Sequence, residues 1–127
     1  MKIFTLIITL CFLVGCAISP GETEMDQLQK LNRKLDVILS SPKVSSNPYD
    51  YIKEHKEEYE FLVSQGELTL DHYIRELDQT ESNGLREYIM AVVCVEILGE
   101  KNPVREWSSG KEWFDLYQRA LEGTESL

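Results

Sequence analysis

The feature that most constrains the fold of this chain is an apolar run at residues 85–98, LREYIMAVVCVEIL, in which only Arg86, Glu87 and Glu96 are charged. A run this apolar must be covered on most sides, and it is too short to cross a bilayer, which takes about 20 residues. Its β-branched residues also fit a buried strand, but no second strand-like segment is present to pair with it. We therefore predict a buried helix at the centre of a small domain.

The charge balance limits the partners of the protein. The 127 residues include 22 acidic and 13 basic side chains, which gives a formal net charge of −9. Proteins that bind nucleic acid carry a basic surface, so no nucleic-acid partner is predicted. Hydrophobic residues make up 43% of the chain, which is too many for wholesale disorder, and the chain is expected to fold.

The N-terminus has the pattern of a secretory signal. Lys2 precedes the apolar run IFTLIITLCFLV, whose length is typical of a signal peptide and not of a membrane span. The run ends in four residues that resemble the lipobox of bacterial lipoproteins at every position: Leu13, Val14, Gly15 and Cys16. The resemblance implies that residues 1–15 are removed, that a diacylglycerol is attached to the Cys16 sulfur, and that the new N-terminus can carry an acyl chain such as palmitate. An uncleaved membrane helix and an ordinary signal peptide cut after Ala17 are the alternatives.

Lipidation of Cys16 predicts a location on the extracytoplasmic face of the cell membrane. Each buried CH₂ group contributes about 0.8 kcal/mol, so two or three acyl chains form a stable anchor where one would not. By the same resemblance, Ala17 after the cysteine permits transfer to the outer membrane if the organism has two membranes. Once residues 1–15 are removed and Cys16 is blocked, Cys94 is the only thiol left, so no intramolecular disulfide is predicted.

Residues 16–46 are predicted to connect the anchor to the domain. An amphipathic helix is predicted at residues 22–39, where Leu28, Leu31, Leu35 and Ile38 form a narrow apolar stripe. Because a helix this short is marginal alone, we predict a stalk that is partly formed or packs loosely on the domain, with dimerisation through the stripe as the alternative. Residues 40–46, SSPKVSS, are predicted to be a flexible linker.

Residues 47–121 are predicted to form an all-α domain of four helices. The first begins at Asn47 and Pro48 and runs to about residue 65, the second spans residues 68–78, the third is the apolar run, and the fourth follows a capping box of Ser109 and Glu112. Two helix pairs are typical of α-hairpin repeats, and the segment GELTLDHYIREL resembles the second helix of a HEAT-type repeat. The segments NGLREYIMA, EILG and WSSGKEW are similar to those of small uncharacterised lipoproteins of Bacillus-type bacteria. Residues 122–127 are predicted to be a frayed tail.

No combination of residues predicts catalysis. His55 and His72 lack the spacing of a metal site, so no metal or cofactor is predicted, and His55 is interpreted as a solvated surface residue. Glu96 could be an acid with a shifted pKa, but pairing with Arg105 or Lys101 is preferred. Cys94 has no basic neighbour within one helical turn and is interpreted as an inert buried thiol. An enzyme is therefore not predicted, and a hydrolase built on Glu96 ranks last.

The layout of anchor, linker and domain predicts a surface-tethered interaction module, in which an unidentified protein partner docks on the hairpin-repeat surface. The alternative is a protein that binds cell-wall glycan through Trp107 or Tyr117, because flat aromatic rings match the faces of sugars. Trp113, Leu116, Tyr117 and Ala120 have the spacing of a helix core, so burial is preferred over a glycan platform for Tyr117 and its neighbours.

Overall fold

The computed structural model describes residues 23–42 and 44–125, and within these ranges it contains α-helices and no strand. The helices are α1 (Glu24–Ser40), α2 (Pro48–Glu54), α3 (Lys56–Ser64), α4 (Glu67–Gln79), α5 (Leu85–Leu98) and α6 (Gly110–Glu125), with a 3₁₀ turn at Gly99–Lys101. The predicted all-α fold is confirmed. Across the described ranges, no helix combines the length and the apolar character that a membrane span requires. The lipobox, Leu13, Val14, Gly15 and Cys16, lies outside the described residues.

The apolar run forms α5, the central helix, with the predicted bounds. Its buried residues are Glu87, Ile89, Met90, Ala91, Val92, Val93 and Cys94. All five other α-helices contact it. The helix is followed by Gly99, whose φ of +55° is a backbone conformation that side-chain-bearing residues rarely adopt. The prediction of a buried helix at the centre of the domain is confirmed.

Helix α1 packs into the same core as α5. Leu31, Leu35 and Ile38 expose 1%, 0% and 0% of their surface. The structure thus differs from the predicted stalk and linker at residues 16–46: from residue 23 onward, this part of the chain belongs to the same folded unit as residues 47–121. A narrow apolar stripe is buried completely when neighbouring helices form a groove that fits it. The helix propensity and apolar periodicity of the stripe's own sequence do not show whether that groove exists.

The first predicted domain helix is two helices, α2 and α3, that meet at His55. The ring Nε2 of His55 lies 2.8 Å from Ser41 Oγ, and its Nδ1 lies 4.0 Å from the Glu58 carboxylate. His55 is therefore partly buried, and its interpretation as a solvated residue is wrong. Two serines of the predicted linker bond to the helices: Ser41 bonds to His55, and the Ser45 hydroxyl donates to Asp50 at 2.7 Å.

The start of α6 lies unusually close to α5. Gly110 is buried, and a Cβ atom at this position would overlap the backbone carbonyl of Glu87. One half of the predicted capping box is present, since the Glu112 amide donates to Ser109 Oγ at 3.1 Å, and the Glu112 carboxylate accepts from the amide of Ser108, the residue before the cap, at 2.6 Å. Helix α6 continues to Glu125, so residues 122–125 of the predicted tail are helical.

A polar network joins α1, α4 and α5. The His72 Nε2–H group lies 2.9 Å from Asn32 Oδ1 and 3.0 Å from Glu76 Oε1. The Arg86 guanidinium donates to Asp36 at 3.1 Å and to Glu76 at 3.4 Å. These bonds place the end of α1, the end of α4 and the beginning of α5 together.

The bundle therefore has two distinct ends. We call the end formed by residues 41–42, 44–48, 80–88 and 105–111 the outer end, because α1 finishes there and α5 and α6 begin there. The inner end is where α1 begins, beside the turn between α3 and α4. Gln27 of α1 and Gln65 of that turn line one small depression, which shows that α1 and α3 run antiparallel.

Candidate binding cleft

A cleft of about 440 Å³ lies at the outer end, between the beginnings of α2 and α5 and the loop that precedes α6. Its lining residues are Ser45, Ser46, Pro48, Tyr51, Asn83, Gly84, Leu85, Tyr88, Ser108 and Ser109. None of these side chains carries a formal charge at neutral pH, although 28% of the chain is charged. The volume falls in the range of about 300–1,000 Å³ that is typical of small-molecule sites. The cleft is thus a neutral site on a strongly acidic protein.

Tyr88, which lines the cleft, lies in an aromatic row between Tyr49 and Trp107. The ring of Tyr88 lies 4.8 Å from that of Trp107 with an interplanar angle of 41°, and the Tyr49 ring meets Tyr88 edge-on at 6.3 Å. Burial, together with a hydrogen bond to Tyr49, raises the pKa of Tyr88, so its hydroxyl stays neutral. The row presents apolar ring surface beside hydroxyl groups, a combination that binds amphipathic ligands.

The polar groups of the lining are held in fixed orientations by bonds to their neighbours. The Ser108 hydroxyl donates to Glu112 at 2.6 Å, as the Ser45 hydroxyl does to Asp50. Asn83 Nδ2 donates to Ser109 Oγ at 3.2 Å, and Asn83 Oδ1 accepts from the Lys111 amide at 3.2 Å. A hydroxyl that donates its proton in this way keeps lone pairs as acceptors. The cleft therefore offers preorganised acceptors to a ligand that carries hydroxyl or amide donors.

A second, open depression of about 400 Å³ adjoins the cleft. It is lined by Glu106, Trp107, Ser108 and Glu112, and Ser108 also lines the cleft. The hydrogen bonds from Ser108 hold the pKa of Glu112 below its ordinary value, so this carboxylate remains ionised. Together the cleft and this depression form one groove with a neutral half and a half that contains carboxylate acceptors.

The structure separates the two aromatic residues that the sequence nominated as a glycan platform. Trp107 is half-buried against Tyr88 and lines the groove. Tyr117 instead stacks on Trp113, with the ring centroids 5.0 Å apart and the planes at 13°, and lines neither half of the groove. Trp113 is fully buried, and its Nε1–H donates to Asn102 Oδ1 at 3.2 Å. Of the nominated pair, only Trp107 belongs to the candidate site.

The remaining nominated residues lie away from the groove. Glu96 is exposed on α5 and, within the described residues, forms neither of the ion pairs expected with Arg105 or Lys101, so that prediction is wrong. Cys94 is a free thiol in the core, and burial raises its pKa well above the ordinary range, which leaves it a poor nucleophile. In the part of the chain that the structure describes, no group of three or more His, Cys, Asp or Glu residues could hold a metal ion.

Most lining residues of the cleft were not predicted from the sequence. The serines of residues 40–46 were interpreted as a linker, Asn83 and Gly84 fell between two predicted helices, and Tyr88 was part of the predicted core helix. Each belongs to a short polar segment before a helix or to the first turns of that helix. That shared position was the sequence signal available for these lining residues. It does not show that α2, α5 and α6 begin next to one another.

No protein-family model matches this chain, and neither the curated proteins nor the solved structures compared with it gave a match. The likenesses to HEAT-type repeats and to small lipoproteins therefore remain predictions. The proposals below rest on the residues and on the geometry of the groove.

Proposed function

We propose that this protein is a lipid-anchored interaction module on the extracytoplasmic face of the cell membrane, and that it binds its partner at the outer end of the bundle. The lipobox of Leu13, Val14, Gly15 and Cys16 supports the anchor. The observation that carries the binding role is the uncharged cleft of about 440 Å³, preorganised by the bonds of Asn83 and Ser108.

The path of α1 supports this arrangement. Only residues 17–23 separate Cys16 from α1, and an extended chain of this length spans about 25 Å at most. The 17 residues of α1 then carry the chain about 25 Å further, from the inner end to the outer end. Because α1 is docked, residues 17–23 set the distance between membrane and domain, and the cleft lies at the end remote from the point of attachment.

The lining of the cleft supports binding and not catalysis. It contains serine hydroxyls but no imidazole, thiol or ammonium group, and the Glu112 carboxylate that bonds to Ser108 has a lowered pKa, which makes it a weak base for activating a hydroxyl. The raised pKa of Tyr88 makes its phenol a poor general base at neutral pH. A hydrolase built on Glu96 gains no support, because Glu96 lies outside the groove.

Lipidation is tested by measuring the intact mass of the protein extracted from membranes. We expect the loss of residues 1–15 and the addition of lipid mass at Cys16, and we expect Cys16→Ser protein to leave the membrane fraction. Membrane-bound Cys16→Ser protein that is still cut after Gly15 would contradict the anchor.

The binding surface is tested by placing a photo-crosslinking residue in the anchored, full-length protein. A probe at Ser46 lies in the cleft, while the matched probe at Ser64 is exposed near the inner end. We expect Ser46 to form adducts, either with a protein or with wall material, and Ser64 to form none. Adducts at Ser64 with none at Ser46 would show that the outer end is not the binding surface.

A further inference from the structure

We infer that the ligand of the cleft is a neutral glycan chain, an inference that rests on the proposed function. The first reason is charge. A lining without charged side chains, in an acidic protein, offers nothing to pair with a strongly charged ligand. A neutral ligand rich in hydroxyl and amide groups avoids the cost of burying an unpaired charge.

The second reason is the match between the polar groups of the cleft and those of a sugar. The oriented oxygens of Ser45, Ser108 and Asn83 accept hydrogen bonds, and the hydroxyls of a sugar supply the donors. A buried ligand hydroxyl that finds such an acceptor avoids the penalty of an unsatisfied polar group. Each sugar ring also carries apolar C–H faces, which the rings of Tyr88 and Trp107 can cover.

The third reason is the shape of the groove. The cleft continues past Ser108 into the depression of Trp107, where Glu106 and Glu112 add carboxylate acceptors. Two adjoining spaces that share one residue fit consecutive units of a chain better than a single ring. The ligand is therefore assigned as an oligomer that extends from the cleft across Trp107.

A protein partner fits the cleft less well. High-affinity protein docking centres on apolar or aromatic anchors in desolvated pockets, and Leu85 and Pro48 are the only aliphatic side chains in the lining. Val44, the most exposed apolar side chain beside the lining at 94% exposure, lines a neighbouring depression that also contains Asp50, Lys53 and Glu54. A protein partner is instead one of the outcomes of the test.

The test uses full-length protein in detergent micelles and a tetramer of β-1,4-linked N-acetylglucosamine as the neutral probe. Trp113 is fully buried, so fluorescence changes on binding should come from Trp107, the other of the two tryptophans. We expect saturable binding that is the same at low and high salt, because the neutral probe carries no charge that salt could screen. An anionic uronic-acid tetramer should bind at least about tenfold more weakly, because Glu106 and Glu112 of the adjoining depression would repel it.

Two pairs of variants locate the binding. Tyr88→Leu removes a ring of the groove and should weaken binding about tenfold or more, whereas Tyr117→Leu changes an equally half-buried tyrosine outside it and should not. Ser46→Phe fills the cleft and should abolish binding, while Ser64→Phe at the inner end should leave it intact. Circular dichroism of each variant checks that the helices persist, and Ser46→Phe, an exposed position, keeps the test valid if Tyr88→Leu fails to fold.

The outcomes separate this inference from the proposed function. Adducts with a protein at Ser46, together with no binding of the neutral tetramer, overturn the glycan assignment and leave the interaction module standing. Binding that needs a charged oligomer, or that survives both Tyr88→Leu and Ser46→Phe, overturns the assignment as well. If Ser46→Phe abolishes tetramer binding, the cleft is supported as the site. If Cys16→Ser also fails to release the protein from the membrane, the anchor is contradicted.

Discussion

Helices α1 and α5 both contain fully buried apolar residues, but these cover a narrow stripe of α1 and a broader surface of α5. In α5, seven of 14 residues are buried, and the apolar surface extends around the helix. In α1, only three of 17 residues are buried, yet none of the three exposes more than 1% of its surface. The number of apolar residues thus predicts how much of a helix is covered, but not whether the helix is docked.

The two helices also differ in what holds them. All five other helices pack on α5, and Gly110 brings α6 against its backbone. The apolar stripe of α1 is supplemented by polar bonds, from His72 to Asn32 and from Arg86 to Asp36. Burial of each leucine or isoleucine contributes about 1.5–3 kcal/mol, so the stripe is the larger of the two contributions. Four substitutions test this comparison.

The largest effect is expected from Val93→Asp at the centre of α5. Val93 is fully buried, and an unpaired carboxylate in its place costs several kcal/mol, which is comparable to the whole stability of a small domain. We expect loss of the cooperative unfolding transition by circular dichroism. The matched change on α1, Val37→Asp, alters a valine that is 40% exposed and should leave the fold intact. A folded Val93→Asp protein would contradict the central position of α5.

Leu35→Ala tests directly whether α1 is docked or a loose stalk. Leu35 is fully buried, so truncation should lower the free energy of unfolding by about 2–5 kcal/mol, measured by urea titration. Val37→Ala, on the exposed side of the same helix, is the control and should cost far less. If the two variants lose the same stability, α1 does not belong to the core.

Gly110→Ala measures how tightly α6 encloses α5. The added methyl group would overlap the Glu87 carbonyl, and the resulting shift of α6 should cost about 1–3 kcal/mol in urea unfolding. Gly123→Ala, later in the same helix, meets no atom within 4 Å and should instead stabilise the protein by about 0.5–1 kcal/mol through helix propensity. Effects of the same sign at both positions would argue against the close approach.

The smallest effect is expected from Glu76→Gln, which weakens the polar network between α1, α4 and α5. The hydrogen bond from His72 lowers the pKa of Glu76 below its ordinary value of 4.5 in the folded protein. A lowered pKa contributes stability above the unfolded-state pKa, and that contribution is lost as the pH falls below about 4.5. Stability of the Gln variant should therefore fall less over this acidic range than that of the native protein. Glu60→Gln, at a side chain 63% exposed, is the control. If Glu76→Gln leaves the loss of stability at acidic pH unchanged, the lowered pKa of Glu76 is contradicted.

The elements that the sequence predicted correctly are those whose signals are local. The bounds of α5 follow from its continuous apolar run and from Gly99, and the start of α6 follows from Ser109 and Glu112. Trp107 was nominated because flat aromatic rings match the faces of sugars; it lines the groove, and its binding role stays a prediction. Cys94 was correctly interpreted as a buried thiol, since no basic neighbour lies within one helical turn to lower its pKa.

The tertiary structure decided what depends on residues far apart in the chain. Burial of Leu35 requires the groove that other helices form, and the break at His55 accompanies its bond to Ser41, 14 positions earlier. The cleft unites three polar segments, near Ser46, Asn83 and Ser108, which look like separate linkers and caps until their helices begin at one end. Sequence patterns report local periodicity and composition, so they determined the helices and the apolar core. Packing between distant segments determined the docking of α1 and the site, because both arise only from the way the helices meet.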